Sequence, residues 1–209
     1  MRTTWTFHSA GRIVFGIDAV ASLGDHLLEL TEESSRVLIV TDPALVEAGV
    51  CERVREALGA SGIESAVFDG GCPEPPLELA MTCAEAAGAS GAGWLLGLGG
   101  GSNMDLAKVT ACVLAHGGHP RDYLGDCVVP GPVFPLACVP TTAGTGSEVT
   151  AASVLSDPDR GIKVAVLSDF LRPRLSVVDP RLTVSCPQHV TADSGIDALT
   201  HAVEAFTAV

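Results

Sequence analysis

The stretch WLLGLGGGSNMDLAK, residues 94–108, runs an apolar segment straight into three glycines and a serine, and then into a helical pattern. WLLGL has no polar alternation, as a strand buried on both faces of a sheet requires. Gly99, Gly100 and Gly101 allow a tight turn and a close approach of backbone to a ligand. Ser102 and Asn103 open the helix, whose free N–H groups and positive dipole end favour an anion such as a phosphate. The spacing is not G-x-G-x-x-G, because Ser102 takes the last place, and no Gly-Lys-Ser/Thr follows to make a P-loop. On spacing alone, a phosphate-binding turn and a purely structural turn both stay open.

The same rhythm extends in both directions. RIVFG (12–16), RVLIVT (36–41), SAVFD (65–69) and FPLACV (134–139) are short apolar runs, separated by stretches of helical period near 18–30, 43–59, 77–89 and 102–115. Strand and helix alternating in this way predict an α/β fold, a largely parallel sheet with helices on both faces. Apolar pieces at 151–155, 164–167 and 175–178 are expected to form a hairpin, turned by DPDRG (157–161), and a last strand of the same sheet. The character changes from Pro180 onward. Pro187 suits the first turn of a short helix, and Ser194 is positioned to cap a second one running IDALTHAVEAFTAV to Val209. Residues 1–180 are therefore read as an α/β domain and 181–209 as the opening of a helical one.

Composition limits the function classes. Of the residues, 47% are apolar and 18% charged, with 23 glycines, the balance of a folded α/β protein. A formal net charge of −13, from 12 basic and 25 acidic residues without a Lys/Arg cluster, argues against nucleic acid or an anionic membrane as a partner. The amino-terminal MRTTWTFHSAGRIVFG has neither a sustained apolar core nor a cleavage-like ending, so a cytoplasmic location is the expectation. The seven cysteines, without any C-x-x-C pair, are read as reduced and mostly buried.

Three further stretches carry candidate chemistry. RVLIVTD ends in Asp42, at a carboxyl edge where open α/β sheets bind ligands. A carboxylate there can accept from both hydroxyls of an adenosine ribose and would repel a 2′-phosphate, favouring NAD over NADP; Asp42 can equally cap the helix after Pro43. VPTTAGTGSEVT (139–150) crowds hydroxyls and glycines behind a strand, suited to a pyrophosphate or nicotinamide amide, or simply to a turn. GIDALTH (195–201) sets Asp197 and His201 four apart on a helix, with side chains roughly 6 Å apart on one face. A carboxylate and an imidazole suit Fe(II), Zn(II) or similar ions, although such a pair is also common on ordinary helix surfaces.

GGGSNMDLAK at 99–108, PTTAGTGSE at 140–148 and GIDALTHAVEAF at 195–206, in this order, resemble the iron-containing (group III) alcohol dehydrogenases of the dehydroquinate synthase-like superfamily. GRIVFG, VTDPAL at 40–45 and VVDPRLT at 177–183 are similar to that family as well. The resemblance implies that Asp42 holds the adenosine ribose, that Gly99, Gly100, Gly101, Ser102 and Asn103 bind the pyrophosphate, and that Thr141, Thr142 and Thr150 line the adenine and phosphate region. It implies that Lys163 approaches the cofactor, that Leu182 forms an apolar wall, and that Asp197 and His201 are the first two ligands of a divalent metal, Fe(II) ahead of Zn(II). CPEPP departs from the family's Asn-Pro and puts Glu74 where an amide would meet the cofactor.

By the same resemblance the activity would be hydride transfer between NAD(H) and a small primary alcohol or aldehyde, in a homo-oligomer when full-length. The family draws two further histidines from beyond Val209. His8, His26, His116, His119 and His189 match no family motif and are read as surface or loop residues. Asp105 is read as fixing its helix, and no residue is assigned as general base. A glycerol dehydrogenase or dehydroquinate synthase relative, or a non-catalytic dinucleotide-binding fragment, are the alternatives.

Overall fold

Each apolar run becomes a strand of one sheet. In a computed structural model, which describes residues 4, 8–31 and 36–208, the elements are β1 (Arg12–Phe15), α1 (Leu23–Leu28), β2 (Arg36–Val40), α2 (Pro43–Glu47), α3 (Val50–Ala60) and β3 (Ser65–Phe68). They continue with α4 (Leu79–Ser90), β4 (Ala92–Gly99), α5 (Gly101–His116), β5 (Gly125–Asp126), β6 (Leu136–Pro140), β7 (Ala152–Asp157), β8 (Ile162–Leu167), β9 (Leu175–Val178) and α6 (Gln188–Thr207).

Six strands pair in parallel in the order β1-β9-β6-β4-β2-β3. Successive residues of β2 supply two cores. Leu38 and Val40 pack with Leu95, Met104 and Leu106 under α4 and α5, while Val37 and Ile39 pack with Leu23, Val54 and Leu58 under α1 and α3. Both faces are covered, which is why the central strands carry no polar alternation. β3 lies on one side of β2 and β4 on the other, so the crossovers reverse direction there. The crevice outside the carboxyl ends of β2 and β4 is the switch point where such sheets take ligands.

Three expectations are corrected. The hairpin of β7 and β8 does not join the large sheet; with β5 it makes a separate sheet of three strands, and only β9 enters the main one. The helix expected over 43–59 is two, because Gly49 at φ +74° turns the chain between α2 and α3. Ser194 caps nothing: α6 is one helix of 20 residues that passes through it. Its expected end at Val209 lies outside the described residues, as do most of the first seven. Among the described residues, no helix is long and apolar enough to cross a membrane.

Candidate functional site

The carboxyl ends of β2, β4 and β6 deliver three loops to the switch point, and hydrogen bonds between their residues build the site. Gly99 leaves β4 at φ +140°, and a Cβ there would lie 2.3 Å from Asn103 Nδ2. That close approach lets the buried Asn103 amide reach across the turn. It donates to Asp42 Oδ2 at 2.7 Å and to the Leu98 carbonyl at 3.0 Å. Asp42 Oδ1 accepts from Leu45 N at 3.1 Å, so this carboxylate does cap α2. It also keeps one lone pair on each oxygen, enough to accept from two more donors. Thr141 N donates to the Gly99 carbonyl at 3.0 Å, which ties the threonine segment to the same turn. Thr142 Oγ1 stands 3.4 Å from where a Gly100 Cβ would be.

A second set of bonds, from Lys108 and Asp105, holds the threonine segment in place. Lys108, in the second turn of α5, is fully buried. Its ammonium donates to Thr150 O at 3.2 Å, Thr150 Oγ1 at 3.1 Å and Ala152 O at 2.7 Å. Asp105, one turn earlier, accepts from Ser147 Oγ at 2.6 Å and Val154 N at 2.8 Å, and lies 3.8 Å from Lys108 Nζ. The expected helix-fixing role of Asp105 is thus wider, since it and Lys108 clamp residues 147–154 to α5. Burial raises the Asp105 carboxyl above its ordinary 3.8, against the pull of Lys108, Ser147 and Val154. Burial likewise lowers Lys108 below 10.5, opposed first by Asp105. The sequence signal was a lysine inside LAKVTACV, a helical segment apolar on every side, where a lone charge must find a partner.

Ser102 Oγ accepts from Glu74 N at 3.3 Å, which leaves its own proton free to donate outward. Lys163 Nζ lies 2.8 Å from Glu74 Oε1, both side chains being more than half exposed. Leu182 is buried in the core between the sheet, α1 and α3.

α6 approaches the threonine segment at one point. Gly144 lies against Ser194, where a Cβ would come within 2.6 Å of the Ser194 carbonyl oxygen. On the α6 face that carries Ser194, Asp197 is also half-buried. Asp197 Oδ1 and His201 Nε2 are 3.8 Å apart. Two donors of one tetrahedral ion at about 2.1 Å sit about 3.4 Å apart, so small rotations would bring both onto a metal. Among the described residues, no three His, Cys, Asp or Glu side chains gather into a metal site. His116 is exposed beside Gly131 O, and His119 caps the turn at Pro120–Tyr123.

The residues fit a dinucleotide on two counts. Asp42 presents acceptors to a diol beside a glycine turn that opens a 16-residue helix. Thr41, at the end of β2, buries a hydroxyl that has no partner among the described residues.

Along 97% of its length the chain is 37% identical to the sulfoacetaldehyde reductase of Bilophila wadsworthia, of which it covers 52%. A solved 1,3-propanediol oxidoreductase superposes with a TM-score of 0.92 at 32% identity, over 97% of this chain and 53% of that one. The sulfoacetaldehyde reductase of Bifidobacterium kashiwanohense, solved in complex with NAD+, superposes at 0.86 with 31% identity, over 98% and 54%. The chain thus spans about half the length of the relatives it matches. Residues 10–180 match the family model for iron-containing alcohol dehydrogenase, and the chain belongs to that family.

Proposed function

We propose that residues 1–180 form the NAD-binding domain, and residues 181–209 the start of a helical metal-binding domain, of an oxidoreductase that moves hydride between NAD(H) and a small primary alcohol or aldehyde. The observation that carries the reading is the Asp42–Asn103 bond, which fixes an acidic strand end against the glycine turn at the switch point. Asp42 takes the two ribose hydroxyls on its free lone pairs and repels a 2′-phosphate. The first amides of α5, at Gly101 and Ser102, take the pyrophosphate, with the Ser102 hydroxyl and Lys163 ammonium as additional donors. Thr141 and Thr142 border the same turn, with Thr150 held behind them by Lys108, while Leu182 backs the site from within the core. Asp197 and His201 hold a divalent metal, Fe(II) by family and Zn(II) by donor type.

When bound, the nicotinamide supplies or accepts the hydride and the metal polarises the alcohol oxygen. The Gly144–Ser194 contact supports this reading, because it brings the helix bearing Asp197 and His201 against the cofactor loop.

The test is a fluorescence titration of residues 1–209 with NADH and NADPH. NADH is expected to bind and NADPH to bind at least tenfold more weakly; Asp42→Ala should lose most of that discrimination. Equal affinity for both coenzymes in the unaltered chain would refute the assignment of Asp42. With Fe(II) added, weak or no turnover is expected from residues 1–209, because two donors leave an ion under-coordinated.

A further inference from the structure

We infer that Glu74 determines how tightly the site takes a phosphate, by neutralising Lys163 and competing with the ligand for its ammonium. The inference rests on the dinucleotide reading above. The pair is built by backbone and is not a chance surface encounter. Ser156 N donates to Pro75 O and Leu77 N to Ser156 O, both at 2.9 Å, so the loop that carries Glu74 lies along β7. In the β7–β8 hairpin Ser156 stands directly opposite Lys163, which sets the lysine beside Glu74. The Glu74 backbone is held at φ +50°, between Pro73 and Pro75, with its N–H on Ser102 Oγ. A left-handed glutamate is uncommon, so the surrounding contacts must impose it.

The consequence is electrostatic. Lys163 is joined to Ser102 through Glu74, whose N–H rests on Ser102 Oγ and whose carboxylate neutralises the ammonium in the free protein. A pyrophosphate arriving at Ser102 brings two negative charges to a rim already holding Glu74 on one side and Asp42 on the other. The Lys163 ammonium has three donors and can meet a phosphate while still holding Glu74 at 2.8 Å, but Glu74 then offsets its charge and lies close to the incoming anion. Binding is thus a partial exchange of carboxylate for phosphate at one ammonium whose charge Glu74 already offsets. An amide at position 74 would leave Lys163 uncommitted and add no repulsion.

Glu74→Gln keeps the side-chain shape and removes only the charge. NADH and ADP are expected to bind this variant about three- to tenfold more tightly than the unaltered chain at low ionic strength, the range of one exposed pair plus one nearby like charge. The gain should shrink towards unity in about 0.5 M salt, where exposed charges are screened beyond about 4 Å. Adenosine, which has no phosphate, should bind both proteins equally. A purely structural role for Glu74 would move adenosine as well and would not depend on salt, an outcome that overturns the exchange. Equal NADH affinity in both proteins also overturns it while leaving the dinucleotide reading intact. Loss of NADH binding in Glu74→Gln alone overturns the exchange, whereas failure of the unaltered chain to bind NADH removes both.

Discussion

Replacing Lys108 with Met tests whether α5 and the threonine segment are one unit. The two side chains are close in length and shape, so the change removes the ammonium and leaves little cavity. Three acceptors lose their donor: Thr150 O, Thr150 Oγ1 and Ala152 O. Leaving buried carbonyls unpaired costs about 1–3 kcal/mol each, and breaking a buried charge pair about 3–5 kcal/mol, because the partner charge is stranded. Against this, burial lowers the Lys108 pKa, so the folded state already pays a desolvation penalty that Met does not. Asp105 also keeps Ser147 Oγ and Val154 N as donors. The net loss is therefore about 2–4 kcal/mol, a large share of the roughly 5–15 kcal/mol that keeps a domain folded. Urea unfolding followed by circular dichroism measures it. The double variant Lys108→Met with Asp105→Asn leaves no stranded charge and should recover at least about 1 kcal/mol relative to the sum of the singles. A loss below about 1 kcal/mol for Lys108→Met, or strict additivity of the pair, would refute the clamp.

Gly99→Ala should cost about 2–4 kcal/mol and abolish NADH binding, because its Cβ would overlap Asn103 Nδ2 and break the Asn103–Asp42 bond while forcing φ +140° on alanine; tight NADH binding by a folded variant would contradict the geometry of the turn. Acid should loosen the second sheet first. The side-chain hydrogen bond from Arg121 holds Asp157 below its ordinary 3.8. The stability this pair contributes is complete above about pH 3.8 and is lost as pH falls through the lower folded value. Arg121→Ala should remove the depression and begin acid unfolding at higher pH than in the unaltered chain, as read by circular dichroism along a pH titration.

The parts of this molecule that were readable in advance are those where chemistry and periodicity agree. WLLGL and RVLIV have no polar face to present to water, so a doubly covered parallel sheet was their only economical home. Asp42 was readable as a helix cap, and the structure shows one carboxylate that caps α2, accepts from Asn103 and has capacity left over. The separate three-stranded sheet was not readable. β7 buries alternate residues as any one-faced strand does, and its sheet is completed by β5, which has two residues and no pattern. The Ser194 cap failed because a serine before Gly195 looks like a helix start, whereas here its backbone is packed against Gly144, three strands away in sequence. Lys163 and Glu74 carried no joint signal, since 89 positions separate them and only the hairpin register brings them together.

The two halves of the site differ in how firmly they are embedded. Leu106 to Val113 of α5 are buried without a break, so opening that helix means opening the whole domain. α6 buries none of its residues and touches the cofactor loop near Ser194. Its Ile196, Leu199, Val203 and Phe206 are exposed. Local unfolding is therefore ordered: the helix with the Asp197–His201 pair opens at low free energy, while α5 opens only with the fold. On the proposed roles, an ion held by Asp197 and His201 would come and go with α6 while the glycine turn stays in place.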